Sequence, residues 1–311
     1  MILSCGEALI DMLPRETTDG DTGFVPHAGG SVFNSAIAIG RLGVKAGFFS
    51  GLSSDFFGQM LRDTLEKSRV DTHLCAISDQ PTTLAFVRFN NGQASYSFYD
   101  ENTAGRLLDT TQLPQLDDNV RAMLFGGISL ISEPCGSAYE ALMLRSAASR
   151  VIMLDPNIRT NFITDKAAHL ARMQRMIASA DIVKVSDEDI AWFGLNMSHA
   201  QIAQTWLTPA GQTGPKIIII TKGADGADAY AACGKISIDG EKVVVGDTVG
   251  AGDTVNAGVL VSLEHQGLLS KKAIEQINSE QLSQAVRFGI KAAAITVSRI
   301  GANPPWDHEM L

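Results

Sequence analysis

The sequence predicts an α/β fold: a doubly wound, mostly parallel sheet with helices on both faces and a small accessory β-sheet. Three observations carry this. Short apolar runs alternate along the chain with longer runs of helical periodicity, the pattern of parallel strands joined by crossover helices. One stretch, 82–99, breaks that rhythm and alternates with period two. With 311 residues, 45% hydrophobic and 19% charged, the chain holds ample apolar material for one large core.

In order, an opening run Ile2-Leu3-Ser4-Cys5-Gly6 reads as a strand, followed by 46–49, 122–125, 151–154, 182–185 and 216–221. Each is short, apolar and flanked by turn residues, as strands buried on both faces are. Residues 34–42, 56–68, 137–148, 165–179 and 198–207 carry apolar side chains at helical spacing, and 253–264 reads as a helix packed through small residues. Residues 12–26 are polar and irregular, whereas 82–99 alternates about Asn90-Asn91-Gly92, a hairpin signal. No repeat or linker divides the chain, so one domain over 1–311 is expected, with insertions at about 12–27 and 82–106.

A formal charge of −9 offers no basic stripe to neutralise nucleic-acid phosphates, though it is compatible with a nucleotide whose charge is met locally. Cys5, Cys75, Cys135 and Cys233 have no Cys-x-x-Cys spacing and read as buried hydrophobes in a reducing compartment. No basic leader or long apolar stretch opens the chain, which predicts a cytoplasmic protein with no membrane partner. His27, His73, His169, His199, His265 and His308 lack ligand spacing. Neither a P-loop nor a strand-bound Gly-x-Gly-x-x-Gly is present, which argues against those nucleotide folds.

The most informative segment is Asp247-Thr248-Val249-Gly250-Ala251-Gly252-Asp253. Gly250, Ala251 and Gly252 lack bulk, so their N–H groups can converge on one oxyanion at the start of the following helix. Asp253, within about one turn of that anion, can accept a proton from an attacking hydroxyl. Read alone, the motif is equally a glycine turn capped by Asp253. Near the start, Gly29-Gly30 precedes a helix beginning near Ser31, with Asn34 one turn in. There the glycines let a ligand approach the backbone, and Asn34 offers both a donor and an acceptor.

These two segments resemble the signatures of the PfkB, or ribokinase-like, family of sugar and nucleoside kinases. The pattern Asp-Thr-x-Gly-Ala-Gly-Asp-x-Phe is matched save for Val255 in place of Phe, and Ala28 to Gly43 is similar to the family's N-terminal substrate signature. The resemblance spans the chain from the first strand to Arg299–Pro305. It is nearest to bacterial fructokinases through 5–14, Asp155-Pro156-Asn157-Ile158-Arg159 and Lys184-Val185-Ser186-Asp187-Glu188-Asp189.

The resemblance implies a ribokinase-like fold in which the two insertions form a β-sheet lid over the sugar and a homodimer contact. It implies ATP-dependent phosphorylation of a sugar's primary hydroxyl, fructose to fructose 6-phosphate first of all, with Asp253 as base and Gly250, Ala251 and Gly252 cradling the phosphoryl group. Asp11, placed at the end of the first strand, Gly29, Gly30 and Asn34 would hold the sugar. Arg88, Tyr99 and Arg106 would lie nearby. Arg159 would bind the phosphoryl group or a substrate edge, or else pair structurally with Asp155; the motif leaves both open. Ser186, Thr221, Gly223, Gly226 and Gly252 would meet the nucleotide.

The family's Asn-x-x-Glu, tied to Mg²⁺ through water, is Ser186 and Asp189 here, so Asp187 or Glu188 can share that role. Asp247 and the Gly301-Ala302 loop match a region that holds a monovalent cation, K⁺, in several relatives. A kinase for an acid sugar such as 2-keto-3-deoxygluconate, a nucleoside kinase and a non-catalytic sugar sensor are the rival readings. Asp253, the Gly250–Gly252 cradle and Arg159 together argue against the sensor. Acidic Asp100 and Glu101 argue against the acid sugar.

Overall fold

The computed structural model describes every residue except 91 and 92, with the side chains of 88–96 left out. The chain opens with β1 (Ile2–Cys5), β2 (Leu9–Glu16), β3 (Thr22–Gly29), α1 (Ser31–Arg41), β4 (Ala46–Phe49), β5 (Gly51–Ser53) and α2 (Phe56–Lys67). It continues through β6 (Val70–Asp71), β7 (Ala76–Ser78), β8 (Leu84–Asn90), β9 (Gln93–Tyr99), β10 (Ala122–Gly126), α3 (Cys135–Ser146), β11 (Val151–Asp155) and α4 (Lys166–Ile177). The C-terminal part holds β12 (Ile182–Ser186), α5 (Asp187–Phe193), α6 (His199–Trp206), β13 (Ile217–Thr221), β14 (Ala227–Ala231), β15 (Gly234–Ile238), α7 (Ala251–His265), α8 (Lys271–Glu275) and α9 (Ser279–Val297).

The main sheet has the order β15-β14-β13-β12-β11-β10-β1-β4-β6. From β6 to β13 every neighbouring pair is parallel, and β14 and β15 extend that edge as an antiparallel hairpin. Two cores cover the two faces, which is why the strands read as unbroken apolar runs rather than alternating ones. Ile2, Leu124, Met153, Ile217 and Ile219 meet α1, α7 and α9 on one face; Leu3, Phe125, Leu154, Ile218 and Ile220 meet α3 and α4 on the other. α7 and α9 approach closely because Gly258 and Gly289 face each other: a Cβ on Gly258 would lie 2.6 Å from Gly289 Cα.

The chain builds outward from β1 through β4 to β6, then returns to lay β10 against the other side of β1. The strand order therefore reverses between β1 and β10, and the crevice beyond their carboxyl ends is where ligands bind in such sheets. A second sheet, β3-β2-β8-β9, stands over that crevice.

Several expectations change. Residues 12–26 are not irregular: they form most of the β2–β3 antiparallel pair, hidden from a sequence reading by Pro14 and Pro26. Both prolines are tolerated, since β3 is an edge strand and Pro14 lies beyond Met12, the last residue of β2 paired with β8. Asp11 consequently is not at the end of the first strand, which stops at Cys5; it is the third residue of β2. The helix expected from residue 253 begins at Ala251. The β8–β9 ladder pairs Asn90 with Gln93, and the turn expected at Asn91 and Gly92 lies outside the described residues.

Candidate active site

The helix α7 is preceded by its N-cap Gly250, whose φ of +79° is left-handed and whose missing side chain leaves room for Ala302 at 2.8 Å from where a Cβ would stand. The first turn of a helix leaves its leading N–H groups without intrahelical acceptors. Ala251 N–H turns back 3.3 Å to Thr248 O, while the N–H groups of Gly252 and Asp253 in this turn have no acceptor among the described residues.

Asp253 is buried in this first turn. Its Oδ1 accepts a hydrogen bond from Ser31 Oγ at 2.6 Å and its Oδ2 one from Asn34 Nδ2 at 3.0 Å, while Ser35 Oγ donates to its backbone carbonyl at 3.0 Å. These bonds join the start of α1 to the start of α7. Burial pushes the Asp253 carboxyl up to about 6, and the bonds from Ser31 and Asn34 restrain the rise.

Beneath the turn, Lys184 of β12 is 4% exposed and pairs with Asp155 at 2.9 Å; Asn256 Nδ2 donates to the same Asp155 oxygen at 2.6 Å. Burial opposes the ammonium charge, but Asp155, Asp189 and Asp253 together hold its pKa above the ordinary lysine value. Asp155 is therefore engaged by Lys184, and the structural pairing with Arg159 is not formed. Arg159 is exposed and turned to the crevice, where its one described bond runs to its neighbour's carbonyl, Ile158 O.

A cavity of about 170 Å³ lies at the strand reversal. Glu7 follows β1, Gly127 and Ile128 follow β10, and Asn157 and Arg159 follow β11, while Gly30 and Ser31 open α1. Asp11 and Phe98 come down from the small sheet, and Phe98 packs edge-on to Phe162 at 4.4 Å between centroids. Burial raises the Asp11 carboxyl to about 6. Gly29 has no room for a side chain because the Asp11 carboxylate occupies that space.

Asp11, Gly29, Gly30, Asn34, Arg159 and Asp253 thus converge on one region. Tyr99 does not join them. Successive strand residues face opposite sides, so with Phe98 on the cavity Tyr99 lies outside, 62% exposed against Phe86. Arg106 is bonded to Asp100 at 3.0 Å beside a separate small cavity behind Glu7. The Arg88 side chain lies outside the described residues.

Ser186 and Asp189 form a capping box at the start of α5. Asp189 Oδ1 accepts from Ile158 N at 2.7 Å and its Oδ2 from Ser186 N and Oγ at 2.8 Å each, so the carboxylate ties the start of α5 to the loop after β11. Among the described residues no group of three acidic, histidine or cysteine side chains could hold a metal ion. Thr221 ends β13, and Gly223 and Gly226 turn the chain into β14 at the same carboxyl edge. Asp247 accepts from Val249 N and from Gly301 N, each at 3.0 Å, and so joins the two loops expected to lie together.

Sequence reasoning missed Glu7, Ser31, Asn157, Phe98 and Lys184 as members of this region. Glu7 accepts from Ser31 N at 2.8 Å, and Asn157, at a left-handed φ of 44°, donates to Ser31 Oγ at 2.5 Å. A polar residue just past the carboxyl end of β1 was the available signal for Glu7. For Ser31 and Asn157 the contacts join segments far apart in the chain, and a single sequence carries no sign of them.

The pfkB family carbohydrate kinase profile matches residues 1–309. A fructokinase of Rhizobium leguminosarum bv. trifolii is 54% identical over 282 residues, covering 91% of this chain and 85% of that protein. Fructokinase-2 of Oryza sativa subsp. japonica is 34% identical over 315 residues, covering 98% of this chain and 90% of its own. The crystal structure of a fructokinase with bound ATP from Xylella fastidiosa superposes with a TM-score of 0.86 at 27% identity, covering 97% of this chain and 93% of that one. The chain belongs to the pfkB family of carbohydrate kinases and has its ribokinase-like fold.

Proposed function

We infer that this chain is a fructokinase, transferring the γ-phosphoryl group of ATP to the primary hydroxyl of fructose to give fructose 6-phosphate and ADP. One observation carries the chemistry. A buried carboxylate, Asp253, with its pKa pushed up to about 6, stands in the same helix turn as the open N–H groups of Gly252 and Asp253. It is joined through Ser31 to a cavity of sugar size. A base poised just below neutral pH is ionised at pH 7 yet basic enough to take a proton as the bond forms.

The attacking hydroxyl oxygen forms a bond to the γ-phosphorus and passes its proton to Asp253. The bond from that phosphorus to the bridging oxygen breaks, and its electron pair leaves on ADP. The α7 N-terminus meets the charge on the γ-phosphoryl oxygens with its N–H groups and the positive end of the helix dipole. Arg159, exposed at the cavity, supplies a fork that matches a phosphoryl group.

Mg²⁺ fits as an ion borne by the nucleotide, since it prefers phosphate oxygens and water to a protein cage. Glu188, exposed beside Ser186, is a carboxylate open to its water shell, whereas Asp187 pairs with His199 at 2.8 Å and Asp189 caps α5. It would neutralise charge on the β- and γ-phosphates. The turns at Thr221, Gly223 and Gly226 form the nucleotide side, and the Asp247–Gly301 junction is the proposed place of a monovalent cation such as K⁺.

The small sheet β3-β2-β8-β9 acts as a lid that excludes water, so that ATP is not hydrolysed instead. A homodimer joined through this sheet and a cytoplasmic location complete the reading; the latter is supported by four free cysteines and by the absence, among the described residues, of any helix long and apolar enough to cross a membrane.

Replacing Asp253 by Asn preserves shape and keeps one acceptor oxygen toward α1 while removing the base. Turnover is expected to fall about 10²–10⁴-fold, with fructose and ATP binding retained in calorimetry. A variant with near-native kcat would refute the assignment.

A further inference from the structure

Asp253 is held by two donors of different character. Asn34 lies behind it in α1, whereas Ser31 stands between it and the cavity, which its own side chain lines. The Ser31 hydroxyl has one proton. Asn157 Nδ2 donates to its oxygen at 2.5 Å, and the proton is directed to Asp253 Oδ1 at 2.6 Å. The backbone fixes the serine as well, because Ser31 N–H donates to the buried Glu7 carboxylate at 2.8 Å. The loops after β1 and β11 at the carboxyl edge of the main sheet, with the start of α1, therefore aim one neutral donor at one carboxylate oxygen.

We propose that Ser31, oriented by Asn157, is a positioning residue of the phosphoryl transfer: its hydroxyl turns the Asp253 carboxylate toward the sugar and stabilises its ionised form. This rests on Asp253 being the base. A donor that bonds to a charged carboxylate is about twice as strong as one between neutral groups, so it favours the anion over the acid. Burial works the other way and keeps the carboxyl at about 6. The remaining charges around Asp253 are Asp155, which opposes ionisation, and Lys184, which favours it. Glu7, Asp11 and Arg159 line the cavity with Ser31. Helix α9 meets this turn through Thr296, which bonds to Thr254 at 3.0 Å. Helix registry does not need Ser31, since Asn34 and Ser35 already join α1 to the Asp253 turn.

The test is the pH dependence of kcat and kcat/KM for fructose with saturating MgATP, measured on Ser31→Ala, Ser31→Thr and Asp253→Asn. Ser31→Ala is expected to move the acid limb up by about one pH unit, a loss of about fivefold at pH 6 that approaches tenfold below about pH 5. Above pH 8 its rate should return to within about threefold of native. Ser31→Thr, which keeps the hydroxyl, should hold the native profile. If Ser31→Ala is insoluble, Asn157→Gly, which suits the left-handed backbone, should shift the limb in the same direction. An unshifted limb, or a loss equal at all pH values, overturns the proposal while an inactive Asp253→Asn leaves the base assignment intact. An active Asp253→Asn overturns both.

Discussion

Gly252 and Lys184 restrict one another. A Cβ on Gly252 would stand 3.0 Å from the Lys184 ammonium, which is buried and tied to Asp155, so the first turn of α7 rests directly on a fixed positive charge. The cradle expected from three small residues thus stands above a buried ion pair, with the open N–H groups of Gly252 and Asp253 in its first turn. Residue-scale geometry also revises the argument on substrate choice. Asp100 is engaged by Arg106 and lies at the small rear cavity, so it does not repel a substrate carboxylate in the main one. Among the described residues that role falls to Glu7 and Asp11, two carboxyl groups lining the cavity with one cation, Arg159. A neutral sugar can donate its hydroxyls to both acids, whereas an acid sugar brings a third negative group among them. Fructose is therefore expected to have a kcat/KM at least about tenfold above that of 2-keto-3-deoxygluconate, a difference of about 1.4 kcal/mol in transition-state stabilisation. A competition assay with both sugars and limiting enzyme measures the ratio directly, and a ratio favouring the acid sugar would mean that Arg159 outweighs the two acids. Asp253, Asp11 and Gly30 were legible because each belongs to a short motif with its own chemical logic. Phe98 was missed for Tyr99 through the strand's period of two: being one residue off changes the face.

At the scale of elements, α1 to α4, α6, α7 and the parallel strands β1, β4 and β10 to β13 were legible because each is a long or strongly apolar run with one period, whereas α5, α8, α9 and β6 went unread. The small sheet was half legible. β8 and β9 alternate cleanly, but β2 and β3 carry Pro14, Pro26 and many polar residues, and their pairing is visible only once β8 lies beside β2. The β14–β15 hairpin passed unnoticed because Ala227–Ala231 is made of small residues with little strand character. In the small sheet β8 is an interior strand, paired to β2 on one side and to β9 on the other. Val87 in β8 is 3% exposed and opposite Tyr96 in the ladder. Proline there removes a backbone donor and locks φ, which interior strands do not tolerate. Val87→Pro should therefore loosen β9, which carries Phe98 over the cavity, while the main sheet keeps its packing. The expected result is a fructose KM raised about tenfold and a measurable rise in sugar-independent ATP hydrolysis, read in a coupled ADP assay with and without fructose. Native kinetics in this variant would remove the small sheet from the role of lid.

At the scale of the whole molecule, one topological fact gathers the site. The strand order reverses between β1 and β10, so the loops after β1, β10 and β11 open onto one crevice, and α1 and α7 both point their N-termini there. The small sheet closes that crevice with one face, and its other face carries an aromatic row. Phe24 packs edge-on to Phe86 at 5.0 Å, and Phe86 to Tyr99 at 5.5 Å, with Phe24 39% and Tyr99 62% exposed. Rings on the outer face of a thin sheet gain nothing from the main core. A second copy applying the same face would bury both rows in a two-fold contact, and rings in mutual edge-on contact are suited to the centre of such an interface. The sheet would then be braced on the side away from the sugar, which ties lid rigidity to assembly. Replacing Phe24 and Tyr99 together by Asp puts four like charges at the centre of that contact. Sedimentation at micromolar concentration is expected to shift from twice 33.2 kDa to a single 33.2 kDa chain, with fructose KM rising as the lid loses its brace and kcat at saturation changing less. The two readouts separate the claims: a native protein that sediments as a monomer removes the dimer. A native dimer dispersed by the substitutions with KM unchanged keeps the interface and removes its link to the sugar site.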